Sequence, residues 1–570
     1  MLQIISGKFF KSKRRYRYEV RGVLFGTYRL FWPIETCVAT LEPVDVFGSV
    51  ASYVVSYVNQ IERPAKNGPG TLLRTGDWEI VEQFRIFCIL GLQAFFHQSR
   101  EAVAMASRRQ PLSMSDRVPR LFVPRFFESP VQGTSKEARS FSVLVKKVIG
   151  LPRDTYRAVL AAAKAFADAL EITGDSIDLA YSLLVFSLEC LSQAFDCYEP
   201  AWEDYPHEVA EVLDPILMRL DASTARGIRR ALLREKNLKV GRRFVDFVTD
   251  HVQASFFLDE VPQGHRVVSK SELARALRNA YTMRSRYTHR LQPVHELIRT
   301  SAVARGEVIL WKHEPYLTLA GLVRVARHVI CSFVSKQESV DSEDIDWRSK
   351  LPGIIHVPMA PQYWISQHEN FRPTDATRKL EGFLQEAEEA HISSKPLTNL
   401  QNLMKVYEST LPNVTGLYRL RMFALYCIYK LVVEEGARTE DSVTVIAENK
   451  DLLASCSIEA MLVLLILGKE WPWDRKELAR QWRKYMEQKY HRLGLSIPPA
   501  FEILMQAEIA RAYLETGSTQ RYSMWLGRAL LDAAGRPALQ TLLRDSRMKK
   551  TAFPRDQFWE AAREDLASQG

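Results

Sequence analysis

Arg284 and His289 stand with four residues between them in the stretch SKSELARALRNAYTMRSRYTHRLQPVHE, residues 269–296. A histidine titrates near neutral pH, so it can take a proton from an attacking oxygen or return one to a leaving oxygen. An arginine stays cationic and grips phosphate through a fork of N–H donors, stabilising the charge that grows in a pentavalent transition state. The two together can cleave RNA without a metal, with the 2′-hydroxyl as internal nucleophile and a cyclic phosphate as product. Ser285, beside the arginine, can orient it or contact phosphate. The same spacing recurs at Arg290 and His295. Spacing alone therefore also describes, and more often, a solvated helix end.

The elements that must position this pair follow from local pattern. Ser269 is an N-cap residue, and Glu272 three positions later completes a capping box. Leu273, Leu277, Ala280, Tyr281 and Met283 recur at helical spacing, and Pro293 stops the helix near Gln292. Five helical steps turn the chain by about 140° relative to the starting residue. Arg284 and His289 therefore do not share a face of a straight helix. They converge only if the helix bends or if a second copy supplies the other half of a groove.

The string Asn279-Ala-Tyr-Thr-Met-Arg-Ser-Arg-Tyr-Thr-His289 resembles the R-S-x-x-x-H signature of HEPN domains, in particular the Apea-like group. In that group a tyrosine, here Tyr281, precedes the Arg-Ser pair. The family commonly has glycine after the histidine, where this chain has Arg290. Upstream, DLAYSLLVFSLECLSQ, residues 178–193, resembles the family's apolar helix, with Glu189 as its acid. The resemblance covers residues 151–336. It implies a helical bundle that dimerises, with Arg284 and His289 of two protomers lining one RNA cleft. Ser285, Glu189 and Tyr281 are then supporting residues, and Arg286, Tyr287 and Arg290 touch RNA. A buried Glu189 needs a cationic partner, and Arg284 and Arg286 are the two candidates.

At 570 residues the chain is too long for one core, and 46% apolar with 25% charged residues is ordinary globular composition. The net charge of +10 suits a polyanionic partner without requiring one. Seven scattered cysteines with no CxxC pair fit a reducing cytoplasm, and no residues show zinc-ligand spacing. No apolar run reads as a membrane span, and the order of basic and apolar residues at the N-terminus is wrong for a secretory signal. Walker A, GxGxxG, HExxH and GxSxG motifs are absent, so no cofactor or metal is expected.

The expected fold is mainly α: a mixed α/β region at 1–145, a HEPN-like bundle at 151–336, a linker at 337–373 and an irregular helical array at 374–570. In the first region Tyr16–Trp32 reads as one or two strands, with Glu35–Leu41 pairing to them. Val46–Gln60 reads as a helix, Pro64–Gly70 as a loop, Trp78–Arg108 as one long helix and Ser107–Ser142 as a proline-rich linker or cover segment. Lys8, Lys11, Lys13, Arg14, Arg15 and Arg17 alternate with Phe9, Phe10, Tyr16 and Tyr18. They read as a nucleic-acid surface or as a solvated terminus entering a strand. Helices are expected at Tyr156–Leu170, Asp175–Phe195, Pro206–Leu220, Ser223–Glu235, Gly241–Phe257 and Pro315–Phe333. An aromatic loop at 196–206 either stacks a base or anchors the bundle.

Beyond the linker, helices are expected at Asp375–Ala390, Leu397–Leu411, Tyr418–Glu435, Ser457–Leu467, Arg475–His491, Ala500–Thr516 and Gln520–Ala534. Ile509–Ala533 resembles a tetratricopeptide-like hairpin without a strict repeat period. Such arrays hold protein partners. Trp471, Trp473 and Trp482 form a local core or a binding hot spot. Two readings of the whole chain follow. One is a regulated HEPN-type endoribonuclease of toxin or antiviral kind, a homodimer acting on RNA in the cytoplasm. The other is a non-catalytic dimerisation or RNA-binding scaffold.

Overall fold

The computed structural model describes residues 1–48, 50–63, 74–108, 117–128, 131–196, 198–199, 201–205, 207–233, 239–261, 266–300, 306–348, 351, 357, 359–433, 440–491 and 493–568. The loop expected at Pro64–Gly70, and Pro111, Pro130, Pro200 and Pro206, lie outside them. The fold is mainly helical, with a β region near the N-terminus and a helical array at the C-terminus. The chain divides into two compact units, Met1–Ile354 and Ile355–Gly570.

In the first unit Arg15–Gly26 and Ala51–Glu62 are long antiparallel strands paired from Arg15↔Glu62 to Gly26↔Ala51. Thr40–Asp45 and Ile34–Glu35 extend the sheet on one side, and Phe96–His97 extends it on the other. The helix expected at Val46–Gln60 is therefore a strand. Its apolar residues fit helical spacing, but burial alternates, with Ala51, Tyr53, Val55, Tyr57 and Asn59 all inward. That period of two marks a strand with one face on a core. The long helix expected at Trp78–Arg108 is broken. Asp77–Leu92 ends where Gln93 turns left-handed at φ +53°, Phe96–His97 joins the sheet, and Arg100–Ala106 is a separate helix.

The segment expected as a linker at Ser107–Ser142 instead folds. It contains two helical turns, Pro119–Phe122 and Pro124–Phe127, and the start of the Ser135–Gly150 helix. Of the basic cluster near residue 10, Lys13, Arg14 and Arg17 are exposed, while Lys8 is structural. Lys8 is buried and donates to the carbonyls of Ile149, Gly150 and Leu151, while Lys11 pairs with Asp344.

The helices Arg153–Glu171, Ile177–Phe195, Val240–His251, Lys270–Arg290 and Leu319–Lys336 form the bundle. His207–Leu217 and Ala222–Leu233 lie at its surface. The expected Gly241–Phe257 helix ends at His251 and resumes as the short Ala254–Leu258. The bundle and the sheet region share one apolar core, so residues 1–145 and 151–336 are not separate bodies. Polar bonds tie them too: Tyr156 Oη donates to Gln83 Oε1 at 2.8 Å, and Arg327 Nε donates to the Leu90 carbonyl at 2.8 Å. Part of the expected linker also belongs here, since Trp347 is buried against Phe10 and Arg348 pairs with Glu62 at 2.6 Å.

In the second unit helices run at Ala376–Ser393, Gln401–Thr410, Gly416–Ile428, Ile458–Ile466, Arg475–Gln488, Pro499–Glu515 and Thr519–Asp532. Glu440–Asn449, Pro537–Lys549 and Phe558–Ala567 add three that the sequence reading omitted. Its core has its own buried ion pair, Arg421–Glu459 at 3.0 Å. Trp482 is buried in this core, and the indole N–H groups of Trp471 and Trp473 donate to the Met461 and Ala454 carbonyls. Trp471 and Trp473 are thereby tied to the backbone of this unit and pack against its core. One described helix, Ile177–Phe195, is long and apolar enough to cross a membrane, but 67% of its apolar window is buried inside the protein.

Candidate active site

The helix Lys270–Arg290 begins at the expected capping box. Ser269 Oγ accepts from the Glu272 amide at 3.3 Å, and the Glu272 carboxylate accepts from the Ser269 amide at 3.2 Å. The helix is anchored midway by a hairpin, Val308–Trp311 and Glu314–Leu317. Arg275 pairs with Glu314 at 2.5 Å, and Asn279 Nδ2 donates to the Pro315 carbonyl at 2.9 Å. The helix runs unbroken through His289 to Arg290 and stops at Leu291, whose φ of +51° is left-handed. The chain then folds back, and the Val294 amide donates to Asp178 Oδ1 at 2.8 Å.

Arg284 faces the bundle and is only 7% exposed. Its guanidinium is paired with Glu189 of the Ile177–Phe195 helix, which is equally buried. Of the two partners open to Glu189, Arg284 rather than Arg286 is the one it meets. Tyr281 Oη donates weakly to the same carboxylate at 3.4 Å. The guanidinium also lies over the Phe186 ring at 4.2 Å and the Tyr281 ring at 5.2 Å. Phe186 sits one helical turn before Glu189, so one face of that helix supplies both the carboxylate and the aromatic plane. Burial draws the Arg284 guanidinium below its ordinary value, though guanidinium remains charged at neutral pH. Arg284 Nε is buried without a hydrogen-bond partner among the described residues.

Tyr281 is itself fixed. Its ring packs on Phe244 at 5.5 Å, and a Cβ at Gly241 would stand 3.1 Å from it. Burial raises the Tyr281 phenol. Phe244 and Gly241 were not singled out from sequence. Only the i, i+3 relation of Phe186 to Glu189 carried a signal.

His289 occupies the opposite side. At about 100° per residue, Arg275, Arg278, Thr282, Arg286 and His289 fall in one stripe about 80° wide. Arg278, Arg286, His289 and Arg290 are exposed, and among the described residues their side chains make no ion pair or hydrogen bond. Ser285 and Tyr287 are half-buried between the two faces. The helix C-terminus attracts the positive charge of Arg290 and of a protonated His289. One chain therefore presents a buried, oriented arginine on one face and a solvent-facing histidine among free arginines on the other. The helix does not bend to unite them.

The aromatic loop is half-buried and held by local contacts, with Arg243 over the Tyr198 ring at 4.9 Å. Tyr198 donates to Asp204 at 2.6 Å, Trp202 Nε1 donates to Asp214 at 3.0 Å, and Trp202 stacks on Tyr205 at 5.2 Å. Among the described residues no group of three or more His, Cys, Asp or Glu side chains is placed to hold a metal ion. No family profile, curated protein or solved structure matches the chain.

Proposed function

We propose that this chain is a metal-independent endoribonuclease of HEPN type, acting as a homodimer in the cytoplasm as a regulated toxin or antiviral effector. The observation that carries the reading is the arrangement on the Lys270–Arg290 helix. Arg284 is locked by Glu189, Phe186 and Tyr281, while His289 has no partner among the described residues and lies beside Arg286 and Arg290. An oriented cation stabilises a phosphorane oxygen, and a free imidazole moves the proton. Because the two face apart on one chain, a second copy must complete the cleft. The exposed stripe Val209, Val212 and Ile216, 43%, 65% and 53% exposed, supports self-association of the same unit.

The test is cleavage of total cellular RNA by purified protein in chelator, with wild type beside His289→Ala. Loss of cleavage in His289→Ala with an unchanged fold supports the reading, and cleavage retained by that variant refutes it. One observation favours a second reading, a non-catalytic RNA-binding or dimerisation scaffold: Arg284 is buried and paired, as a purely structural arginine would be. On that reading RNA binding survives both Arg284 and His289 substitutions, and no product forms.

A further inference from the structure

The second unit holds a cavity that the nuclease reading does not use. It opens among the Arg475–Gln488, Pro499–Glu515 and Thr519–Asp532 helices and has a volume of about 730 Å³. That size falls within the range of small-ligand and peptide side-chain pockets. Five cations line it: Arg475, Lys476, Arg483, Arg521 and Arg528. None of the five makes an ion pair with a described carboxylate. The single acid in the lining, Asp532, accepts from the buried Gln506 amide at 2.5 Å. The cavity thus carries a concentrated, uncompensated positive charge.

Its floor is aromatic. Trp482, Tyr513 and Trp525 line it and are 4%, 7% and 2% exposed. The Trp525 indole N–H is buried without an acceptor among the described residues. Arg528 covers the Trp525 ring at 4.9 Å, and Arg475 covers the Tyr513 ring at 6.0 Å. The rim adds three apolar side chains, Met486, Met524 and Leu531, of which Leu531 is 76% exposed.

We infer that this cavity is a docking site for an acidic segment of a partner protein that also carries an apolar anchor residue. Arginine forks match carboxylates in pairs, and arginine, methionine and aromatic residues are the types enriched where proteins meet. A single-stranded nucleic acid fits less well. Base stacking needs open aromatic faces, whereas these rings are buried and two are already covered by arginine. The inference stands apart from the nuclease reading, because it is measured as binding and needs no cleavage.

A random-peptide display library selected on the immobilised full chain tests it. The selected peptides should be rich in Asp and Glu around a large apolar residue. Their anisotropy-measured affinity should fall at least about tenfold in Arg483→Glu/Arg528→Glu. Both positions are exposed, so the double variant keeps the fold, which circular dichroism checks. Oligo(U) should neither bind this unit's surface nor displace the peptides. Selection without acidic enrichment, unchanged affinity in the charge-reversed variant, or displacement by oligo(U) would each overturn the inference.

Discussion

Removing one partner of the Arg284–Glu189 pair leaves a charge in an apolar bundle, and the consequence is large enough to measure. Both side chains are less than a tenth exposed. Breaking such a pair costs about 3–5 kcal/mol, because the surviving ion has lost its partner but not its burial. For Arg284→Ala, Glu189 stays buried beside the Tyr281 hydroxyl at 3.4 Å; for Glu189→Ala, the guanidinium is stranded over Phe186 and Tyr281. With a urea slope of about 3 kcal/mol/M for a unit of this size, either change lowers the first unit's unfolding midpoint by about 1–1.7 M. Arg284→Met/Glu189→Leu removes both charges and restores apolar contact, so most of that loss should be recovered. The assay is urea denaturation of the full chain followed by near-ultraviolet circular dichroism, with the two units' transitions fitted separately. A loss below about 1 kcal/mol in both single variants would mean that the pair is solvated, and the reasoning would fail. The double variant is also the proper control for catalysis, since it should be folded yet unable to cleave RNA. An inactive Arg284→Ala alone does not separate a dead site from a damaged bundle.

Three further outcomes are expected. His289→Ala should shift stability by no more than about 0.5 kcal/mol, because the side chain is exposed and has no partner among the described residues, while on the nuclease reading cleavage of RNA measured on a gel disappears. Ser269→Ala removes the acceptor of the Glu272 amide and should cost about 1 kcal/mol in the first unit's urea transition. Acidification should destabilise the first unit partly through His251. Burial lowers this imidazole from 6.5, and it packs on Phe247 and Phe333 while Nδ1 donates to the Phe247 carbonyl. A folded value below the unfolded one means that the contribution is complete above pH 6.5 and is lost as pH falls towards the folded value. His251→Gln should flatten the pH dependence of the urea midpoint between neutral pH and about pH 5.

The Lys270–Arg290 helix was legible because its signals are local. Ser269 and Glu272 are three residues apart, and each satisfies a backbone group of the other. The Glu189–Arg284 pairing was legible as one of two options, and only the packing of the two helices decided between them. The strand Ala51–Glu62 was misread because Tyr53, Val54, Tyr57 and Val58 satisfy helical spacing as well as alternation. The sheet itself, through the partner strand Arg15–Gly26, selects the strand. The break after Leu92 was hidden because the left-handed turn falls on Gln93 rather than on the nearby glycine. The charged cavity of the second unit draws side chains from three helices. No single stretch of sequence places Arg483 opposite Arg528.

The shared core of the first unit also constrains how such a chain can change over time. A sheet joined to a bundle by a flexible tether can be exchanged by recombination as a module. Here Lys8 closes the end of the Ser135–Gly150 helix, and Leu24, Tyr28 and Phe96 belong to the same continuous core as Leu184 and Leu277. Excising residues 1–145 would strip one wall from the bundle that positions Arg284. On the nuclease reading, new specificity should therefore arise by substitution on the exposed stripe of the Lys270–Arg290 helix, and not by swapping the N-terminal sheet.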